Sequence, residues 1–471
     1  MAERHDNTVV TAPARAVELR DADGAIRPEF VGEVATAIDA ADAPKLRELV
    51  GDLHEADSGD LIEALDADHR VPLITLMGAD FDFTVLTEVD DAVREEILEE
   101  LPPEAVAEGV RDLDSDDAVR ILEDLPKEEQ EEILDQLPAS ERVALARSLD
   151  YPEASAGRRM QDELIAVPPE WTVGHAIDYL RETRALPDRF YELYVVDGSQ
   201  RLLGAVSLDR LLRTKRPIAI SNLIDEDLRR VHATDDQEEV ARMFERYNLL
   251  AVPVLDDNDR LVGVITFDDI VDVIEEEAEE DIKALGGVAR AEQLSDSVWT
   301  IARGRFNWLL VNLGTAFLAA SVLGTFSAEL QKMVALAVLA PIVASQGGNA
   351  ATQTMTVAVR ALATRELGRA NAWRVIVREL TVGLLNGAAF AVLTGIVAYA
   401  WFKVPDLGIV IGLAMVCNLT AAALAGILIP LVLERFKADP AVSSGVFVTT
   451  VTDVVGFFSF LGIATLWFGL K

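Results

Sequence analysis

The chain is poor in the residues on which most cofactor and catalytic chemistry depends. Its one cysteine, Cys417, lies in an apolar run, which excludes a disulfide framework and a thiolate metal cluster. All five histidines, His5, His54, His69, His175 and His232, fall in the first 299 residues. The apolar remainder therefore lacks the usual zinc ligand and the usual general base. Positive charge is also scarce: residues 1–299 carry 30 basic against 73 acidic groups, while residues 300–471 carry 12 basic against 7 acidic. So acidic a half repels nucleic acid and attracts cations, although much of this charge also serves solubility. The opening MAERHDNTVV is too polar for a signal peptide, and the amino-terminal half is expected in the cytoplasm.

What the second half has in abundance is long apolar runs. Trp308 to Phe326, Val334 to Leu362, Val382 to Phe402, Leu407 to Leu433 and Val442 to Leu470 each have the length of a membrane-spanning helix. Arg303, Arg305, Arg360, Arg365, Arg369, Arg374, Arg378, Arg435 and Lys437 fall on one side of a five-span arrangement, with Lys332, Lys403 and Lys471 on the other. Positive charge stays inside, so the amino terminus is predicted cytoplasmic and the carboxyl terminus outside.

Within the last run, VFVTTVTDVVGFFSF holds Asp453, with no basic residue within ten positions on either side. An ionised Asp facing lipid at that depth costs at least ~2.5 kcal/mol, so it should face a water-filled cavity or a partner helix. The competing reading is a neutral, hydrogen-bonded Asp that ties helices together. The second run, LAPIVASQGGNAATQT, places Pro341, Ser345, Gln346, Gly347, Gly348, Asn349, Thr352, Gln353 and Thr354 at membrane depth. Irregular backbone is tolerated there only inside protein or beside water, and paired glycines also permit close helix packing. Asn312, Thr315, Asn418, Thr420, Thr449, Thr450 and Thr452 add oxygen-bearing side chains. One carboxylate with amide and hydroxyl oxygens and no intramembrane base suits a hard cation such as hydrated Mg²⁺. Ligand type alone does not separate it from calcium, manganese or a monovalent ion.

The acidic half divides into two modules. From Leu53 an apolar residue recurs every twelve positions to Leu149, mostly followed by Asp, Pro or Gly, as in LEDLPKEEQEEILDQLP. This predicts an all-α superhelical array of short helices. A second repeat has an offset of 59 residues: YVVDGSQRLLGAVSLDRLL from Tyr194 and PVLDDNDRLVGVITFDDIV from Pro253. Each copy reads as strand, turn, strand, helix. FDDIVDVIEEEAEEDIKALGG then leads toward the membrane with its acids crowded on neighbouring helical faces, an arrangement that a bridging divalent cation would relieve.

The 59-residue repeat resembles a tandem pair of cystathionine-beta-synthase (CBS) domains, which often bind adenine nucleotides. Their Thr/Ser followed three positions later by Asp is matched by Thr266 and Asp269. The first copy departs from that spacing, with Ser207, Asp209 and Arg210 as its candidate nucleotide contacts. The order of modules, GGNAATQT with RALATREL, and DPAVSSGVFVTTVTDVVGFF together resemble the MgtE family of magnesium channels and transporters over essentially the whole chain.

Residues 1–30 read as a disordered tail, and the resemblance implies an acidic helical-repeat domain at 31–157 and an α/β CBS pair at 158–275. A connecting plug helix at 276–303 and a five-helix pore domain at 304–471 would follow. It implies a homodimer in the cell (inner) membrane that conducts Mg²⁺ into the cytoplasm, with Asp453 as the selecting group and Asn349, Thr352, Gln353 and Thr449 near the path. Regulatory Mg²⁺ at Asp236, Glu238, Asp269, Asp272, Glu277, Glu280 and Asp281 would hold the pore closed, and ATP is a possible CBS ligand. A rival reading is a membrane-anchored nucleotide or ion sensor without transport. An enzyme is disfavoured because the membrane half has no evident nucleophile with a base.

Overall fold

The computed structural model describes residues 19–470 except 23, 124, 185, 188, 226, 290, 291, 293–296 and 369, together with the backbone but not the side chains of 442–444. The chain forms two compact units, Met1–Glu276 and Glu277–Lys471.

The first unit opens with short helices: α1 (Pro28–Asp39), α2 (Ala43–Val50), α3 (Glu55–Ala64), α4 (Ala67–Met77), α5 (Asp91–Glu100), α6 (Pro103–Val110), α7 (Ser115–Glu123), α8 (Lys127–Gln136) and α9 (Ala139–Leu149). Their lengths follow from the twelve-residue period. Proline at the break lacks a donor, and Asp66 and Asp90 stand at N-caps without a side-chain cap; ahead of the period, Asp42 caps α2 by accepting from Lys45 N at 3.1 Å. The apolar residue at the break turns inward: Leu65, Met77, Val89, Leu101, Leu125 and Leu137 are all buried in one continuous core. The chain is ordered earlier than expected. Leu19 is buried, Arg20 is ion-paired with Asp57 and Asp60, and α1 begins at Pro28; the part of the expected tail at 1–18 lies outside the described residues.

The two CBS-like copies match element for element, and from their second strand onward at the constant offset of 59 residues. In the first, β1 (Ala166–Val167), α10 (Val173–Glu182), β2 (Glu192–Val196), β3 (Leu202–Ser207) and α11 (Leu208–Arg213) include an antiparallel pairing with Glu192 opposite Ser207. In the second, β4 (Val231–His232), α12 (Gln237–Tyr247), β5 (Ala251–Leu255), β6 (Leu261–Thr266) and α13 (Phe267–Leu285) pair Ala251 opposite Thr266. Asp197 and Asp256 make the same turn, each accepting two backbone N–H groups. Each also places a left-handed residue three positions on, at Gln200 and Asp259. The copies share an apolar cluster that includes Tyr194, Ala205, Ala251 and Val264.

The connecting helix differs from expectation. Instead of 276–303, α13 runs from Phe267 and stops at Leu285, because Gly286 and Gly287 follow and Gly287 adopts φ +71°. The second unit then contains α14 (Val298–Thr325), a short α15 (Ser327–Lys332), α16 (Val334–Ala363), α17 (Ala372–Phe402), α18 (Pro405–Arg435) and α19 (Pro440–Phe468). Five of these are long and apolar enough to cross a membrane. Each exceeds the ~20 residues a bilayer core requires, so their ends extend into the interface.

Candidate functional site

Asp453 is the fourteenth of the 29 residues of α19 and therefore sits at its middle. Its side chain is half-buried, and no hydrogen bond or ion pair from another described residue reaches its carboxyl. Within this chain no described residue ties it to a neighbouring helix. Thr449, one turn before it, is exposed on the same face. The neighbouring hydroxyls spend their protons at home: Thr449 Oγ1 donates to Gly445 O at 2.9 Å, Thr450 Oγ1 to Val446 O at 2.6 Å and Thr452 Oγ1 to Thr449 O at 2.9 Å. What these groups offer outward is oxygen lone pairs.

Helix α16 runs continuously through Gly347, Gly348 and Asn349, so the paired glycines serve close approach and not unwinding. A Cβ on Gly456 would lie 3.1 Å from Ala344 Cα, and one on Gly348 would lie 3.9 Å from Thr452 Oγ1. These two contacts register α16 antiparallel to α19 and set Gly347 level with Asp453. Asn349 is then about 3 Å along the axis from that level, at ~1.5 Å per residue. Exposed Asn349 and Thr352 lie on the side of α16 that includes Gly348. Gln353, exposed one turn beyond Asn349, also lines a cavity of 190 Å³ with Thr354, Glu379 and Asn386.

Glu379 was outside the apolar run that suggested the third span, yet α17 begins at Ala372 and includes it. Its Oε1 pairs with Arg378 at 3.0 Å and its Oε2 accepts from Thr354 Oγ1 at 3.4 Å.

In the first unit the acids of α7 meet those at the start of α13 around a cavity of 450 Å³, lined among others by Glu88, Asp114, Asp116, Asp117, Asp269 and Asp272. Asp269 Oδ2 accepts from Thr266 Oγ1 at 2.6 Å, and its carboxyl shares a hydrogen bond with Asp116. Burial and the Asp269 charge push Asp116 well above the usual carboxylate range, and Asp269 is raised chiefly by burial. Burial and then Asp269 lift Asp117 to about 7. Burial likewise raises Glu163 to about 7, although Ser115 donates to its Oε2 at 2.8 Å from Oγ. Two carboxyls that share a proton are what like charges adopt when no cation separates them. The basic counterweight is Arg120, 2.7 Å from Asp272 and 3.4 Å from Glu276, with Arg159 2.8 Å from Glu276.

Of the expected regulatory acids, Asp269 and Asp272 line this cavity. Asp236 and Glu238 do not: Asp236 caps α12 by accepting from Glu238 N at 2.9 Å, and Glu238 pairs with Arg242 at 2.6 Å. Glu277, Glu280 and Asp281 follow on α13 in the second unit. Among the described residues no three His, Cys, Asp or Glu side chains stand arranged to hold a metal; the all-oxygen donor set still fits a hard divalent ion. Asp114, Asp116 and Asp117 were missed in the sequence. Their one signal was LDSDD at a repeat break, which also reads as an ordinary acidic helix start. In the first CBS copy, Ser207 Oγ donates to Asp209 Oδ1 at 2.6 Å, with Arg210 next on α11.

Three family models match the chain: MgtE intracellular N domain over 53–154, CBS domain over 156–216 and 220–276, and MgtE divalent cation transporter over 340–463. The Magnesium transporter MgtE of Thermus thermophilus is 34% identical over 452 residues, covering 91% of this chain and 96% of that protein. The chain belongs to the MgtE family. The Magnesium transporter MgtE of Bacillus subtilis is 30% identical over 419 residues, 89% of this chain and 93% of its own length. Among solved structures, the cytosolic domain of the Mg²⁺ channel MgtE in complex with ATP is 30% identical, with TM-score 0.48, covering 52% of this chain and 99% of that one. This MgtE protein is therefore a multi-pass membrane protein of a cation-transporter family and not an enzyme.

Proposed function

We propose that this MgtE protein is a homodimeric Mg²⁺ channel of the cell membrane. Mg²⁺ enters the cytoplasm past Asp453, and the pore closes when cytosolic Mg²⁺ occupies the regulatory acids. The observation that carries this is the half-buried Asp453 carboxyl at mid-helix, partnerless among the described residues and level with the oxygen-bearing side of α16. A carboxylate so placed is costly unless water and a cation reach it. Asn349, Thr352 and Thr449 are its proposed neighbours on the path. The strong inside bias of arginine supports a cytoplasmic amino terminus and an external carboxyl terminus.

The proposed regulatory ligands are Asp269 and Asp272, joined by Asp116 and Asp117, with Asp236, Glu238, Glu277, Glu280 and Asp281 as the further set. Their support is electrostatic: burial first and mutual repulsion second raise the proton affinity of the cavity acids, and a divalent ion would replace the shared proton. Within the second unit, Ala284 at the end of α13 is buried against Ala351, Met355 and Val448 of α16 and α19. Movement of α13 would therefore be felt by the two helices that carry the path. ATP is the proposed ligand of Ser207, Asp209 and Arg210. Dimerisation is supported by Phe267, Val271 and Ile274, exposed at helical spacing on α13 at 48%, 43% and 43%.

Uptake of Mg²⁺ into proteoliposomes tests the pore: Asp453→Ala should lose at least tenfold in rate. Wild-type uptake by that variant would leave the anchored sensor as the better reading.

A further inference from the structure

Asn418, on α18, is fully buried, at 0% exposure. Its Nδ2 donates to Val343 O of α16 at 2.7 Å. The same amide is wedged against two glycines. A Cβ on Gly347 would fall 2.1 Å from Nδ2, and one on Gly456 of α19 would fall 2.9 Å from it. Only hydrogen at both positions leaves room, so one side chain sets how closely α16, α18 and α19 converge. That convergence lies level with Asp453, three residues from Gly456 on α19.

Packing alone does not explain an amide there. The Asn418 Oδ1 is buried without a partner among the described residues, and an orphaned buried oxygen destabilises. Alanine would remove that cost and leave only a small cavity. Val343 O lies within the helical ladder of α16, so the bond from Asn418 is additional to the one an ordinary helix carbonyl accepts. The amide thus contributes a directional tie between α18 and α16 at a site that an apolar side chain of leucine's size could not enter.

We propose that Asn418 is a positioning residue for Asp453. Its bond to α16 and its fit between Gly347 and Gly456 hold α19 at the rotation that presents the Asp453 carboxyl beside Asn349 and Thr352. This inference rests on the pore reading, and it assigns Asn418 no contact with the ion. Its consequence is selectivity. A carboxyl held at fixed distance from α16 oxygens discriminates between ions by the size of their hydration shells, whereas one free to shift does so less.

The test uses the full-length protein in proteoliposomes, with Mg²⁺ and Ca²⁺ uptake measured beside the melting temperature. Asn418→Ala, which removes the tie without a collision, should reduce the Mg²⁺-to-Ca²⁺ uptake ratio at least tenfold while the melting transition stays cooperative. Gly347→Ala should reduce Mg²⁺ uptake at least tenfold, and Asn418→Ala combined with Gly347→Ala should recover at least threefold of that loss because the smaller side chain makes room. An unchanged ratio in Asn418→Ala, loss of its cooperative melting transition, or no recovery in the double variant would overturn the proposal. Asp453→Ala is measured in parallel. If it abolishes uptake while Asn418→Ala behaves as wild type, only the positioning role fails; if it transports normally, the pore reading fails and takes this inference with it.

Discussion

Asp117 and Asp116 occupy places that an unpaired carboxylate tolerates poorly, and the cost has a sign. A carboxyl whose pKa is raised in the folded state binds more protons there than in the unfolded chain. Its stabilising contribution is complete below its unfolded value near 4 and is lost as pH rises through the folded value, about 7 for Asp117. Without divalent cations, the joint between α7 and the start of α13 should therefore loosen between pH 5 and 8. Hydrogen exchange of the full-length protein in chelator, corrected for intrinsic rates, should show falling protection of both segments across that window. Saturating Mg²⁺ should remove the dependence. Asp117→Asn deletes a repelling charge, so it should stabilise the metal-free joint at pH 8 by about 1–3 kcal/mol after discounting for solvent screening at a half-buried position. The Mg²⁺ concentration needed for closure should shift in the same variant.

Helices communicate here through short, stiff junctions. Gly287 ends α13 in the left-handed region, and a Cβ there would lie 1.9 Å from the Trp308 indole nitrogen of α14. Gly287→Val combines backbone strain with that collision. It should keep Mg²⁺ conduction but weaken closure by cytosolic Mg²⁺ several-fold, read as a shift of the inhibition curve in inside-out patches. On the same element, millimolar Mg²⁺ should protect α13 around Glu280 from proteolysis, and sodium at equal ionic strength should not, since screening acts on all charges alike. The element scale is also where sequence reading succeeded best. The twelve-residue period marked the array helices because an inward apolar residue and a breaker recur along it, and the 59-residue offset matched the turns at Asp197 and Asp256 and the paired strand ends at Ser207 and Thr266. It was silent where no local pattern marks the answer: nothing in the sequence around Gln353 shows that it lines a cavity with Glu379 of another helix.

At the scale of the whole molecule, the exposed row of Phe267, Val271 and Ile274 needs a cover that the single chain does not supply. Phe267→Asp with Val271→Asp should lower the fraction of dimer in detergent, measured by light scattering, because burying two carboxylates in an apolar contact costs more than the contact returns. Reciprocal linkage adds a further expectation at this scale: ligands that favour the closed pore bind more tightly when it is closed.

Composition and periodicity by themselves determined the class of this protein. The long apolar runs call for spanning helices, the acid excess favours cations over nucleic acid, and the two repeats call for stacked modules, since each follows from local chemistry. Tertiary structure alone decided which oxygens share a space. Asp116 meets Asp269 across more than a hundred residues of chain, and Asn418 meets Gly347 and Gly456 from a third helix. Such meetings depend on helix rotation and crossing, which are set by the sum of many packing contacts and leave no mark on any short stretch of sequence.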